Sequence, residues 1–322
     1  MNFKEKLKNF IESEWNLAKM IVIYWPTASG KTWLSIEVAK YINSEVISTD
    51  SRQIFKDLNI WTWKVTEEEM QWINHYMIDI ISPNEEYSVW EFKELAEKNI
   101  EKIYSKWKIP ILCWGTWLYI DSLIYDFNIP KIPADEKIRR ELENEAKKYW
   151  NEYVWNKLNE IDPIYAKELH TNNIRYIIRA IEVKLLTWKS KKDFREEKKL
   201  KYDVLFLTPY NWDREYLYDR INKRVQMMFD DWLVDEVKDL LKKYNKSDFW
   251  MKTIWYKEVI NYLENENIEH KEVFWLKGKK LSLWEKVKLW LALNLEETIE
   301  LVKKNNRNYA KTQLTWFRKY NI

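Results

Sequence analysis

Short, unbroken apolar runs separated by stretches of helical periodicity dominate the first third of the chain and return after residue 200. Residues 20–23, 45–49, 109–113 and 202–207 read as strands. The near-continuous apolar character of 20–23 and 109–113 fits parallel strands covered on both faces better than an alternating, half-exposed sheet. Residues 33–41 and 88–107 carry the period of helices, and Phe3, Leu7, Phe10 and Ile11 build one apolar face of a helix within residues 1–19. From residue 133 to 200 the pattern changes. No strand is indicated there, and charged helical segments follow one another at 136–149, 152–160, 163–169 and 174–186, ahead of a basic run over 189–201. Strands alternating with helices predict an α/β fold with a parallel sheet. The strandless middle predicts a helical insertion, so residues 1–130 and 201–322 are expected to form a core domain and 131–200 a second, helical one. No internal repeat or low-complexity linker is visible.

The first strand runs into Tyr24-Trp25-Pro26-Thr27-Ala28-Ser29-Gly30-Lys31-Thr32, and a helical segment follows at once. Against the phosphate-loop pattern G-x-x-x-x-G-K-[ST], every defining position is met except the first glycine, where Trp25 stands. A strand, a tight loop and a helix N-terminus point backbone N–H groups at one anion, the lysine adds a mobile charge, and the last hydroxyl suits Mg²⁺. Trp25, Pro26, Thr27, Ala28, Ser29, Gly30, Lys31 and Thr32 are therefore the expected diphosphate-binding residues, and the sheet is expected to be that of a phosphate-loop NTPase. The plain alternative is a strand-to-helix turn that happens to contain Gly-Lys-Thr. An indole at position 25 is expected to block such a site, because the backbone there must approach the phosphate closely.

Composition bears on that anomaly. At an average glycine usage of about 7%, a chain of this length holds roughly 23 glycines. This one has 3 Gly and 21 Trp. Several tryptophans stand where turns and helix ends favour glycine, among them Trp107, Trp114, Trp117 and Trp188. Glycine is the expected residue at most of these positions in the cell, the tryptophans arising by translation of a glycine-reassigned UGA codon. A genuinely tryptophan-rich protein is the alternative. The charge balance of 54 basic and 51 acidic residues gives +3, so any nucleic-acid surface must be a local patch. Cys113 is the sole cysteine, and the three histidines (His75, His170, His270) are far apart in sequence, which excludes an internal disulfide and a cysteine-cluster zinc site. The charged first 19 residues lack the apolar core of a signal peptide, and no run reaches membrane-spanning length. A soluble, cytoplasmic monomer is the expectation.

Polar residues recur at the carboxyl ends of the strands, where open α/β sheets bind ligands. Asp50, Ser51, Arg52 and Gln53 follow the second strand. A carboxylate there can serve as base or metal ligand, or merely cap the next helix. Gly115 and Thr116 end the third strand. Arg214, Arg220 and Arg224 come just after the fourth, suited to phosphate or to a plain charged helix face. The last segment interleaves Lys304, Arg307, Lys311, Arg318 and Lys319 with Tyr309, Trp316 and Phe317, as in a helix lying along RNA.

Taken in order, these segments resemble the tRNA dimethylallyltransferases over about residues 20–318. The resemblance rests on Trp25 to Thr32, Ser48 to Lys56, Tyr87-Ser88-Val89 with Phe92, Ile109 to Leu112, Gly115 to Tyr119, Arg179 to Val183, Arg214 to Arg224, Trp255 to Glu258 and Ala310 to Arg318. That family's pattern has glycine at 25, 61, 107, 114, 117, 188, 232 and 255 and a true tryptophan at 316. Tyr176 and Thr312 depart from it, in positions associated with tRNA contact. The resemblance implies transfer of a dimethylallyl group from dimethylallyl diphosphate to the N6 amine of the adenosine 3′ of the anticodon. It implies Asp50 as the base, Thr27 beside the bridging oxygen, Arg214 on the leaving group and Thr32 on Mg²⁺. It further implies that Asp50, Ser51, Arg52, Gln53, Thr116 and Arg179 hold the tRNA anticodon stem-loop, with the helical insertion clamping the stem. Two other classes stay open on the residues alone. One is an ATP-binding phosphate-loop kinase or NTPase, with a prenyltransferase for free adenine nucleotides as a close variant of the main reading. The other is a non-catalytic RNA-binding protein, if the tryptophans are real.

Overall fold

A computed structural model of the protein describes residues 3–113, 115–125, 132, 134–194, 199–209, 213–246, 248, 256–265 and 294–318. Among them the elements run α1 (Phe3–Glu12), β1 (Lys19–Ile23), α2 (Lys31–Ile42), β2 (Val46–Ser48), α3 (Glu67–Met70), β3 (His75–Tyr76), α4 (Val89–Tyr104), β4 (Ile111–Cys113) and α5 (Trp117–Ile124). Then come α6 (Glu136–Ile161), α7 (Pro163–Ala166), α8 (Ile174–Thr187), β5 (Asp203–Leu207), α9 (Arg214–Asp230), α10 (Leu233–Lys243), α11 (Tyr256–Asn265) and α12 (Leu295–Phe317). The expected boundary at residue 130, and Trp114 and Trp255, lie outside the described residues.

The strands form one parallel sheet in the order β3-β2-β4-β1-β5. Every residue of β1, β2 and β4 is buried, which explains the apolar runs 20–23, 46–47 and 111–113 within them. Because β4 lies between β1 and β2, the connections leaving β1, β2 and β4 emerge side by side at the same edge of the sheet. Leu34, Ile36, Val38 and Ala39 of α2 join Ile21, Ile23 and Ile111 in one core, so the helix after the phosphate loop is anchored to the sheet. Lys19 starts β1 and is wholly buried. Its ammonium donates to the carbonyls of Ile11 (3.2 Å) and Ser13 (2.6 Å), closing the C-terminal end of α1 with a cation where carbonyls lack partners.

The chain divides into two compact units: Met1–Tyr87 with Leu95–Ile120 and Tyr202–Ile322, and Ser88–Glu94 with Asp121–Lys201. The second unit packs α6, α7 and α8 around Val154, Leu158, Tyr165, Ile177 and Ile181. Its helical run over 136–161 breaks at Trp150 into the two segments expected from sequence. Glu182, fully buried, is its electrostatic centre. Its carboxylate accepts from Arg139 Nε (2.9 Å), from the Asp135 N–H (2.7 Å) and from Arg179. Arg139 and Arg179 hold this carboxyl below the usual range despite its burial. Glu182→Ala removes the buried partner of two partly exposed arginines and is expected to cost about 1–3 kcal/mol of this unit's stability, read by urea unfolding at pH 7. Since the folded-state pKa is depressed, this contribution is present at neutral pH and is lost as pH falls through the depressed value.

The tryptophans have a backbone signature. The described non-glycine residues with left-handed φ include Trp63, Trp72, Trp107, Trp150, Trp188 and Trp232. Trp188 is the C-cap of α8 and Trp232 the N-cap of α10. Trp150, at φ 72° and ψ 162°, sits in a region that is essentially glycine-only.

Candidate active site

The phosphate loop leaves β1 and closes onto α2 through Gly30, whose φ of 90° favours glycine, and Ala28 two residues earlier also has left-handed φ, at 63°. The first-turn N–H groups of α2 lack helical partners and give the site its positive end. A cavity of 530 Å³ opens there, lined by residues 28–32 and by Trp33, Trp63, Glu69, Tyr216, Asp219, Arg220, Lys223, Arg224 and Met227. Two buried polar atoms on its walls, Ser29 Oγ and Arg224 Nε, have no protein partner. That is a signature of a polar guest.

Trp25 does not fill this cavity. Its indole is 4% exposed and packs edge-on to Tyr24, with centroids 5.9 Å apart, and it is absent from the lining. The blocked loop expected from the sequence is therefore not what forms; the side chain is buried away from the cavity lining. Trp33 and Trp63 are the indoles that line it, Trp63 lying under the Arg224 guanidinium at 4.8 Å.

The cations are set by α9. Arg220 Nε donates to the Ala28 carbonyl at 2.7 Å, and Arg224 Nη1 donates to Thr27 Oγ1 at 2.8 Å. Burial lowers the Arg224 pKa to about 10, so it stays charged at neutral pH. Arg214, the arginine singled out from the sequence, is exposed at the first turn of α9 and is not part of the lining. Arg220 and Arg224 are four residues apart and share one helix face; Arg214 is six residues earlier and on another. Lys31 is buried and donates to the Pro26 carbonyl at 2.7 Å, and burial brings its pKa down to about 7. Thr32 lines the cavity beside Lys31. Among the described residues no cluster of three or more His, Cys, Asp or Glu forms a metal cage. A bound cation would therefore have to draw most of its ligands from a guest and from water.

Asp50 follows β2, half-buried. Its Oδ1 accepts the Arg52 N–H at 2.7 Å, which fixes the carboxylate in a tight turn. Burial raises its pKa above the ordinary carboxylate value, opposed by the Arg52 and Lys31 charges. Thr116 reaches across from the β4 loop: its Oγ1 accepts the Ser51 N–H at 3.1 Å, and the Thr49 N–H donates to the Cys113 carbonyl at 2.8 Å. The carboxylate after β2 and the anion cavity after β1 thus stand at the same edge of the sheet, with β4 between them.

Other expected residues have structural partners. Gln53 is fully buried, accepting from Ser48 Oγ at 3.0 Å and donating to the Trp63 carbonyl at 3.2 Å. Arg179 is engaged with Glu182 and with the Ile132 carbonyl (2.9 Å) inside the helical unit. The C-terminal helix α12 does more than present basic residues. It buries Ala310, Gln313, Leu314 and Phe317, and Trp316 stacks on Trp117 at 4.3 Å and 10°. Nothing in the basic pattern of this segment pointed inward; the spacing of Tyr309, Gln313 and Trp316 along one face is the signal that did.

Comparisons with known proteins converge on one family. A family model described as IPP transferase matches residues 53–320. The chain is 45% identical over 303 residues to a tRNA dimethylallyltransferase of Acetivibrio thermocellus, spanning 93% of this chain and 88% of that protein. It is 42% identical over 305 residues to a tRNA dimethylallyltransferase of Alkaliphilus oremlandii, spanning 94% and 89%. Among solved structures, the tRNA isopentenylpyrophosphate transferase of Bacillus halodurans aligns with a TM-score of 0.61 at 38% identity, over 93% of this chain and 86% of that one. A eukaryotic dimethylallyltransferase acting on tRNA aligns at 0.70 and 29% identity, over 93% and 70%.

Proposed function

The chain belongs to the tRNA dimethylallyltransferase family, and we propose that it transfers a dimethylallyl group from dimethylallyl diphosphate to the N6 amine of the adenosine 3′ of the tRNA anticodon. The observation that carries this reading is the pairing of a cation-lined anion cavity after β1 with a half-buried carboxylate after β2, at the same edge of the sheet and separated by β4. A kinase site needs the same cavity, but the family match covers the chain from the acceptor side of the site to its last helix.

The diphosphate lies on the loop N–H groups, Ser29 Oγ, Lys31 and the two arginines of α9. In this seat Lys31 exchanges the Pro26 carbonyl for a phosphate oxygen. The N6 lone pair of adenosine attacks C1 of the allyl group, the C1–O bond breaks, and its electron pair leaves on diphosphate. Asp50 takes the proton that the amine sheds. Charge grows on the bridging oxygen as the bond opens, so Arg224, held against Thr27 Oγ1, and Arg220 stabilise the transition state more than the bound substrate. Thr32 and the diphosphate oxygens would hold Mg²⁺, which supplies further charge neutralisation on the leaving group. The target base must leave the anticodon stack to present its N6 amine.

Transfer of labelled prenyl to an anticodon stem-loop bearing adenosine 3′ of the anticodon tests the reading. Removing one preorganised donor to a developing anion lowers the rate by about 10²-fold. Arg224→Ala and Arg220→Ala are each expected to show that loss in kcat, whereas Arg214→Ala stays within about threefold. No transfer, beside phosphate release from ATP, would return the kinase reading.

A further inference from the structure

We propose that Gln313 is a positioning residue of the reaction, clasping the diphosphate loop to the acceptor side of the site; this rests on the prenyl-transfer reading above. Gln313 projects from α12 and is 6% exposed. Both ends of its amide are used. Its Oε1 accepts the Thr27 N–H at 3.0 Å, and its Nε2 donates to the Gly115 carbonyl at 3.3 Å. Thr27 belongs to the loop after β1 and Gly115 to the loop after β4, so one planar side chain joins two strand ends that otherwise have separate tasks.

The chain of contacts continues on either side. Thr27 Oγ1 takes the Arg224 hydrogen bond, and Thr116, next to Gly115, takes the Ser51 N–H beside Asp50. Arg224, Thr27, Gln313, Gly115, Thr116 and Ser51 therefore form a continuous path from the leaving-group cation to the turn that carries the base. Gly115 supports this independently. An added Cβ there would lie 2.6 Å from Gln313 Nε2, so the residue is glycine where the amide crosses its backbone. Gln313 thereby sets the separation between the carbon under attack and the carboxylate that receives the proton. Glutamine suits the task because it offers one acceptor and one donor in a fixed fork. Glutamate would keep the bond to Thr27 but set an oxygen against the Gly115 carbonyl.

A misplacement of about 1 Å costs on the order of 10²-fold in rate. Gln313→Ala is thus expected to lower the single-turnover rate of prenyl transfer by about 100-fold and to weaken inorganic pyrophosphate binding by about tenfold. The KM for the anticodon stem-loop should stay within about twofold. Gln313→Glu should recover most of the pyrophosphate affinity but little of the rate. Gly115→Ala should reproduce the Gln313→Ala losses in the intact protein, yet add less than about twofold in the Gln313→Ala background, because the side chain it displaces is gone. Parent-like rate and affinity in Gln313→Ala would overturn the proposal. So would losses that multiply in the double variant, or a uniform fall of both affinities with the thermal midpoint. If the parent transfers no prenyl, the functional reading fails by itself, and the pyrophosphate cycle still decides the role of Gln313.

Discussion

Replacing Trp72, Trp107, Trp150, Trp188 and Trp232 together by glycine is expected to raise the thermal unfolding midpoint by about 7 °C. A bulky residue with left-handed φ carries a steric cost of about 1–2 kcal/mol, and Trp150 lies in a more restricted region still. A large side chain usually returns that cost through packing. These five do not: they are 84%, 98%, 81%, 85% and 72% exposed, so their indoles bury little surface. Glycine gives back part of the gain by loosening the unfolded chain, which leaves about 1 kcal/mol net at each site. Five such sites amount to a large share of the 5–15 kcal/mol that holds an ordinary domain together. Calorimetry of the two proteins measures it; an unchanged or lower midpoint would mean that tryptophan suits these turns. The same reasoning gives physical content to the expectation of a reassigned codon. Peptide masses from the native protein should carry glycine at these positions and tryptophan at 316.

The phosphate loop was legible because Gly-Lys-Thr sits between an apolar run and a helix, and the backbone needs of that junction leave few alternatives. The strands were legible because a sheet covered on both faces favours apolar residues inside them, the buried Lys19 and Ser48 standing at strand ends. The division of labour among the arginines was not. All three follow β5, and only the placement of α9 against the loop decides which face meets the phosphate. Residues that act by joining loops leave a fainter trace. Gln53 and Gln313 are both buried amides, one tying β2 to the Trp63 turn and the other tying β1 to β4. Composition marks both as surface polar residues, since glutamine is mostly exposed. Trp25 failed in the opposite sense: steric reasoning placed its indole in the ligand's path, whereas it is buried away from the cavity lining.

Asp50→Asn is expected to lower the single-turnover rate of prenyl transfer by about 10³-fold at neutral pH, within the span of general-base removal. The substitution isolates the proton-accepting role. Asparagine keeps the shape of the side chain, and its carbonyl oxygen still accepts the Arg52 N–H, so the turn after β2 stays closed. Binding of inorganic pyrophosphate, which depends on the loop and on α9, should change by less than about twofold. The pH profile gives a second readout. Burial raises the Asp50 pKa, so the carboxylate protonates at a higher pH than a free one and the rate falls as pH falls through that raised value. Asp50→Asn should lose this acid limb. At the alkaline end Lys31 governs the free protein. Its pKa is brought to about 7 by burial, so its charge is lost as pH rises through that value and pyrophosphate affinity falls with it. A bound diphosphate holds the ammonium charged, which places this limb in kcat/KM and not in kcat. An Asp50→Asn enzyme that kept both the parent rate and the acid limb would remove Asp50 as the base. The proton would then have to leave through solvent or the substrate's own diphosphate.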